Sequence, residues 1–384
     1  MNFERMPIEI EAPEEKGYDK LKFNLTESSY QDQSLQSLGL GGPEFLNRLI
    51  QLPLSYIDHR GLPELRSLII QKSQNATLND VLITPGAAGA LFFVACALLD
   101  PKQQDEVIVL APNYGTNLVT PKFLGIKIHQ IPFTFENNYS IDIESVASLI
   151  NKHTKYISIT TPHNPSGVVI PPDTILSLVK LCEQHNIYLI IDETYRDMQY
   201  NEDDTFWPDV SPKIISVSSL SKTYGSPGIR IGWSICRDQK LNEKLLAVKE
   251  QVIICNSYID EITAFEILNR QSTLLPPIRK DIQHRLLIVQ TWMKEMQKLN
   301  LLNWVCPQGG VVGYLKINSN HEQKWKDFYD ILENKYGTFV GPGRWFYQTD
   351  QYFRLGFGWP KMDELQNGLS NITNAVRAIN TNSL

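Results

Sequence analysis

In "SSLSKTYGSPGIRIGW", Ser218 to Trp233, Lys222 follows the β-branched run "KIISVS" and Arg230 comes eight positions later. An amine at the mouth of a buried strand can bond an aldehyde, and a guanidinium nearby suits a phosphate. Other reactive types stand in similar places. After "DVLIT" comes "PGAAGA", a glycine turn opening a helix, where free N–H groups and the helix dipole favour an anion. Asn113 and Tyr114 follow "DEVIVLAP", Asn164 sits in "HNPSG" after "YISITTP", and Asp192 ends "IYLIID" ahead of Glu193, Thr194 and Tyr195. Ser219 and Ser221 come just before Lys222. A phosphate cradle, a flat aromatic, an amide, a carboxylate, a phenol and a lysine therefore gather at strand ends. A planar, phosphorylated cofactor with a ring nitrogen and an aldehyde needs that set, and pyridoxal phosphate fits it. A carboxylate beside the pyridine nitrogen keeps it protonated, so the ring can act as an electron sink. Singly, each residue has a plainer reading: Lys222 a solvated surface group, Asp192 a helix cap, Tyr114 a packing ring. The set in register favours the site.

These residues must be held by regular elements. "DVLIT", "DEVIVLAP", "KYISITTP", "IYLIID", "KIISVSSL" and "IRIGWSI" read as buried strands, with helices in "AAGALFFVACALLD" and "PPDTILSLVKLCEQHN". Continuous apolar strands alternating with helices predict an α/β fold with a mostly parallel sheet covered on both faces. In such sheets ligands bind beyond the carboxyl ends of the strands. After about Gln271 the pattern changes. A long amphipathic helix begins at "PPIRKDIQHRLLIVQTWMKEMQKL", shorter strands follow in "GGVVGYLKI" and "YFRLGFG", and "MDELQNGLSNITNAVRAI" reads as a last helix. This predicts a smaller α+β domain.

The composition limits the function. The chain has 384 residues and a formal net charge of −6, which argues against a nucleic-acid partner. The start "MNFERMPIEIEAPEEKGYDK" lacks the apolar core of a signal peptide, and no apolar run is long enough to span a bilayer. A soluble cytoplasmic protein is expected. The five cysteines, Cys96, Cys182, Cys236, Cys255 and Cys306, are scattered and without CxxC spacing. They read as reduced, buried thiols, and no metal site is expected.

From about Leu21 onward the chain resembles the class I/II aminotransferases, the fold type I group of pyridoxal-phosphate enzymes. "SLSKTYGSPGIRIGW" matches the cofactor-lysine signature, and "VGPGRWF" followed by "YFRLGFG" resembles the carboxy-terminal signature. The resemblance implies a seven-stranded large sheet and three parts: an arm joined to the small domain over 1–50, a cofactor domain over 51–270, and a small domain over 271–384. It implies that Lys222 bonds the cofactor and carries the proton between carbon atoms. Ser219, Arg230 and the backbone at Ala87 and Ala88 would hold the phosphate. Tyr114 would stack on the ring, Asn164 and Tyr195 would bond its hydroxyl, and Asp192 would meet its nitrogen. Arg354 would grip the substrate's α-carboxylate with a two-pronged contact; its plainer reading is a surface salt bridge. "SYIDHRGLPELR" resembles a segment whose tyrosine, here Tyr56, reaches the phosphate of a neighbouring subunit, which implies a homodimer with shared sites. For His163, beside Asn164, packing and substrate contact are both open.

Transamination is the family's commonest activity and the leading reading. The same scaffold supports elimination and ring formation, as in capreomycidine synthase and enduracididine-forming cyclodehydratases, so elimination–cyclisation of a hydroxylated arginine is the alternative. A third class, a regulatory module without turnover, would need a DNA-binding domain for which the chain has no basic segment. In this family the arm often covers the substrate's side chain. Glu9, Glu11 and Glu27 are candidate pocket acids, with Thr26, Ser28 and Tyr30 as polar neighbours; the plainer reading is a solvated acidic arm. "PIEIEAP" alternates as a one-sided strand would. A carboxylate there would favour a basic amino acid.

Overall fold

The computed structural model describes residues 3–17, 21–201 and 205–381. Seven strands form the large sheet: β2 (Val81–Pro85), β3 (Glu106–Ala111), β4 (Lys127–Pro132), β5 (Thr154–Thr160), β6 (Tyr188–Asp192), β7 (Ile214–Ser219) and β8 (Ile231–Cys236). Their order is β2-β8-β7-β6-β5-β3-β4. β8 runs antiparallel to both neighbours and the other pairs are parallel. Val107, Ile108, Val109 and Leu110 of β3 are wholly buried because helices cover both faces. Each such side chain contributes about 1.5–3 kcal/mol by leaving water. The polar edge strand β4, "KIHQIP", is half exposed and carries no apolar run that would reveal it in the sequence.

The small sheet has the order β1-β11-β12-β10-β9. β1 (Phe23–Leu25) comes from the amino-terminal end and pairs in parallel with β11 (Thr338–Pro342). β12 (Tyr352–Gly356), β10 (Val312–Ile317) and β9 (Leu302–Trp304) complete it as antiparallel partners. The long helix spans Gln271–Lys298, starting before the two prolines that would mark its opening; Pro276 and Pro277 sit in its second turn. Phe353 of β12 and Val289 of this helix share one buried cluster.

The first fifty residues divide between the two bodies. β1 belongs to the small sheet, whereas Leu38, Leu40 and Phe45 pack with Leu62, Val81 and Ile83 on the large one. The expected one-sided strand at "PIEIEAP" is two short helices, Pro7–Ile10 and Pro13–Lys16. Each begins with a proline at its first position, where fixed φ favours a helix and the missing N–H leaves no gap. The cysteines are unpaired; Cys182 and Cys236 are buried as expected, whereas Cys96 and Cys255 are half-buried and Cys306 is exposed. Among the described residues no helix is long and apolar enough to cross a membrane.

Candidate active site

The site is built where strands of the large sheet end. β2 stops at Pro85, and Gly86 turns into the helix Gly86–Leu98 with φ +74°. No side chain caps this helix, so the first-turn N–H groups at Ala87 and Ala88 are left for another acceptor. β8 lies against that turn: a Cβ at Gly232 would be 2.4 Å from the Gly86 carbonyl carbon and 2.6 Å from the Ala87 nitrogen. Glycine is therefore required in "RIGW". Arg230 precedes β8 with φ +49° and sends its guanidinium to the same place, where a Cβ on Gly86 would stand 2.8 Å from Nη2. Its Nη1 donates to the Pro227 carbonyl at 2.8 Å. Ser219, at the end of β7, completes a cluster of donors shaped for a phosphate.

The groups for a ring lie beside it. Asp192 ends β6 and is buried. Its Oδ1 accepts from the Thr194 hydroxyl at 2.6 Å and the Thr194 N–H at 3.1 Å. Asn117 Nδ2 reaches its Oδ2 at 3.5 Å, and Asn117 is itself held by the Ser158 hydroxyl at 3.0 Å. Burial pushes the Asp192 carboxyl above its usual range, against these hydrogen bonds and the pull of Lys222. A protonated ring nitrogen would supply the close positive charge this buried carboxylate calls for. Lys222, just past β7, has its ammonium pushed down by burial, opposed by Tyr114 and Glu27 and assisted by Arg354 and Arg230. Asn113 fixes the exit of β3 toward Tyr114, accepting from the Tyr114 N–H at 2.7 Å and the Thr160 hydroxyl at 2.9 Å.

Asn164 donates to the Tyr195 phenol oxygen at 3.3 Å and accepts from Arg354 Nη1 at 3.0 Å. It thus ties the end of the large sheet to β12 of the small one. Arg354 is buried on β12, and its Nη2 donates to the Thr26 carbonyl at 2.6 Å. Its Nε has no hydrogen-bond partner, an unmet donor that an incoming carboxylate can take. Ala87, Ala88, Tyr114, Asn164, Asp192, Tyr195, Ser219, Lys222 and Arg230 line one cavity of about 150 Å³. A larger cavity of about 440 Å³ is lined by Glu193, Arg196 and Asp197 and receives none of these nine residues. Chemistry therefore selects the smaller one. Asn117, the residue behind Asp192, has no signal in the sequence beyond standing one turn into the helix Gly115–Phe123.

The arm and its neighbours depart from expectation in several places. Glu11 does not face the cavity: Arg344 holds both of its oxygens at 2.8 Å, and Trp345 Nε1 donates to one at 2.9 Å. Tyr30 gives its hydroxyl to Asp281. Thr26 turns its hydroxyl to Asn24 at 2.7 Å, so only its carbonyl serves the site, through Arg354. Ser28 hydrogen-bonds the Tyr195 phenol. His163 is not a substrate contact. Both ring nitrogens are occupied, Nδ1 by the Ser166 hydroxyl and Nε2 by the Pro112 carbonyl, each at 2.7 Å. Its ring meets Phe133 edge-on, and burial pulls its pKa down to about 4, so it is neutral. Glu27 is half-buried, and its charge acts on Lys222, Arg354 and Tyr195. Glu9 is exposed at the arm helix and acts on Tyr114. Tyr56 stands 77 % exposed, away from this chain's own cavity.

The uncapped helix start, the buried Asp192 and the lysine between them suit pyridoxal phosphate, and with the seven-stranded sheet they define a fold type I enzyme of that cofactor. The family model for aminotransferases of class I and II matches residues 21–372, and the chain belongs to that family. It is 25% identical to a capreomycidine synthase of Streptomyces vinaceus, over 82% of this chain and 78% of that one. It is 30% identical to the arginine–pyruvate transaminase AruH of Pseudomonas aeruginosa, over 53% of this chain and 56% of that one. The crystal structure of a PLP-dependent aminotransferase from Streptococcus suis 89-1591 superposes with a TM-score of 0.90 at 28% identity, covering 99% of each chain. The protein is a pyridoxal-phosphate-dependent enzyme of small-molecule amino acids.

Proposed function

We propose that the substrate is an α-amino acid with a cationic side chain and that the reaction is transamination. The observation that carries this is the place of Glu27, half-buried between Thr26, whose carbonyl takes Arg354 Nη2 at 2.6 Å, and Ser28, which hydrogen-bonds the Tyr195 phenol. Arg354 is assigned the α-carboxylate and Glu27 the far, positive end, with exposed Glu9 adding attraction at the mouth. A relative that is an arginine–pyruvate transaminase supports the same choice.

Bound pyridoxal phosphate supplies an aldehyde and an electron-withdrawing ring. The chain does the rest. Arg230, Ser219 and the open helix start hold the phosphate. Asp192, kept in place by Thr194 and Asn117, stays negative beside the ring nitrogen. Lys222, favoured as a free amine by burial, takes a proton from the substrate's α-carbon and returns it elsewhere. Asn164 ties the grip of Arg354 to the ring's edge.

Elimination with ring closure is the second reading, favoured by similarity to a capreomycidine synthase over most of the chain. Incubation with a panel of amino acids, with and without 2-oxoglutarate, separates the two by product mass. A transaminase needs the 2-oxo acid; a cyclase works without it and releases water. Turnover of aromatic or acidic amino acids, with none of arginine-like ones, would overturn the cationic assignment.

The working unit is assigned as a homodimer. Tyr56, Leu54 and Ile50 are 77 %, 85 % and 80 % exposed on one segment, an apolar surface suited to a second copy that would receive Tyr56 at its phosphate. The unpaired cysteines agree with a reducing compartment such as the cytoplasm.

A further inference from the structure

Glu11 performs no step in the reaction above, yet three hydrogen bonds hold its carboxylate. Its carboxylate forms a two-pronged pair with Arg344, which Asp350 also holds at 2.6 Å. Burial pushes its pKa up, but the N–H groups of Arg344 and Trp345 outweigh this and keep it ionised. Trp345 links it to the site. The indole is buried, and its ring centre lies 5.9 Å from the Arg354 guanidinium carbon; Phe346 stands at 5.1 Å. Gly341 pairs with Arg354 across β11 and β12, and a Cβ there would be 3.0 Å from the indole. The indole therefore sits between Glu11 and the arginine assigned to the substrate carboxylate.

The same arm reaches the other domain. Met6 packs where a Cβ on Gly115 would fall, next to Tyr114, and Phe3 meets Phe123 edge-on at 5.3 Å. Ile8 packs against Tyr314, Phe339 and Trp345 of the small domain. Lys16 pairs with Glu333 at 2.5 Å.

We propose that Glu11 is a positioning residue for substrate capture: through its pair with Arg344 it anchors the arm and holds Trp345 against Arg354, so one ion pair sets the carboxylate grip. This rests on the reading that Arg354 takes the α-carboxylate. Arg354 is a buried cation with a free Nε; Asn164 and Thr26 hold its Nη1 and Nη2, and the flat rings of Trp345 and Phe346 lie beside it. Without Glu11 the buried indole N–H loses its acceptor, and the ring's place on Arg354 is left to packing alone.

The test uses two ligands of the holoenzyme that have no α-hydrogen. 2-Aminoisobutyrate carries an amine and a carboxylate; tert-butylamine has a methyl in the carboxylate's place. Binding of each is read from cofactor absorbance in wild type, Glu11→Ala, Glu11→Gln and Arg354→Gln. Glu11→Ala is expected to raise the half-saturating 2-aminoisobutyrate concentration about tenfold and leave tert-butylamine within about twofold. Glu11→Gln, which keeps one acceptor oxygen, falls between. A role limited to holding the arm down would weaken both ligands alike. Equal weakening of both, or of neither, overturns the proposal. Arg354→Gln is the control on the underlying reading. If it leaves 2-aminoisobutyrate binding unchanged, the carboxylate assignment fails; if it weakens binding while Glu11→Ala does not, only the role of Glu11 fails.

Discussion

The carboxyl edge of the large sheet lines the cavity and the described residues of the amino-terminal arm do not, and the two regions hold their charges differently. At the sheet edge, Asp192, Ser219 and Lys222 stand at or just past the ends of strands whose side chains are almost wholly buried. Their positions follow from the sheet, and their neighbours are short-range: Thr194 lies two residues from Asp192. On the arm, Glu9 and Glu11 sit on or beside a four-residue helix with no buried residue. That helix is fastened by side chains distant in sequence, Arg344 and Trp345 above all. The sheet edge is preorganised for chemistry, where small displacements cost much. Under the proposed function the arm serves recognition, and its energies are those of partly exposed ion pairs.

Mutations should separate the two regions by size of effect. Lys222→Ala should lower turnover by about 10³-fold or more and abolish the yellow absorbance of lysine-bound cofactor. Retained turnover in that variant would end the assignment of the site. Asp192→Asn removes the buried charge but keeps its shape; kcat should fall about 10²-fold with little change in KM. On the recognition side, Glu27→Gln should raise KM for a cationic substrate about tenfold and leave kcat nearly unchanged. Exposed Glu9→Gln should raise it no more than about twofold. An arm variant that lowered kcat as far as Asp192→Asn would erase the distinction between the regions. The smallest effect on activity belongs to His163→Gln. His163 has a folded pKa of about 4 against an ordinary 6.5. Its folded state therefore binds the proton less readily than the unfolded chain. The resulting stability, about 3 kcal/mol at most, is full above pH ~6.5 and is lost as pH falls toward 4. Between pH 7 and 5 the wild-type Tm should fall further than that of His163→Gln, with KM alike for both.

The same contrast explains what could be read before the fold was known. Asp192, Asn164, Ser219 and Lys222 follow apolar runs that can only be buried strands, so their convergence on one edge was legible. β4 was not, because "KIHQIP" is a half-exposed edge strand without an apolar run. Asn117 resembles any amide in a helix until its contact with Asp192 is seen. Glu11 was misplaced because alternation in "PIEIEAP" imitates a strand, while prolines at two helix starts decide otherwise. Its partner Arg344 lies near the other end of the chain, and no local pattern connects them. His163 needed the positions of Ser166 and Pro112 before packing could be preferred.

The pairing of Phe23 with Thr338 bears on the order of assembly. Strand β1 waits for a neighbour that the ribosome makes only after every strand of the large sheet, so the small sheet cannot close that edge until then. The segment that follows β1 supplies the Thr26 carbonyl to Arg354. The final setting of Arg354 is therefore a late event, reached only after the large sheet has all its strands.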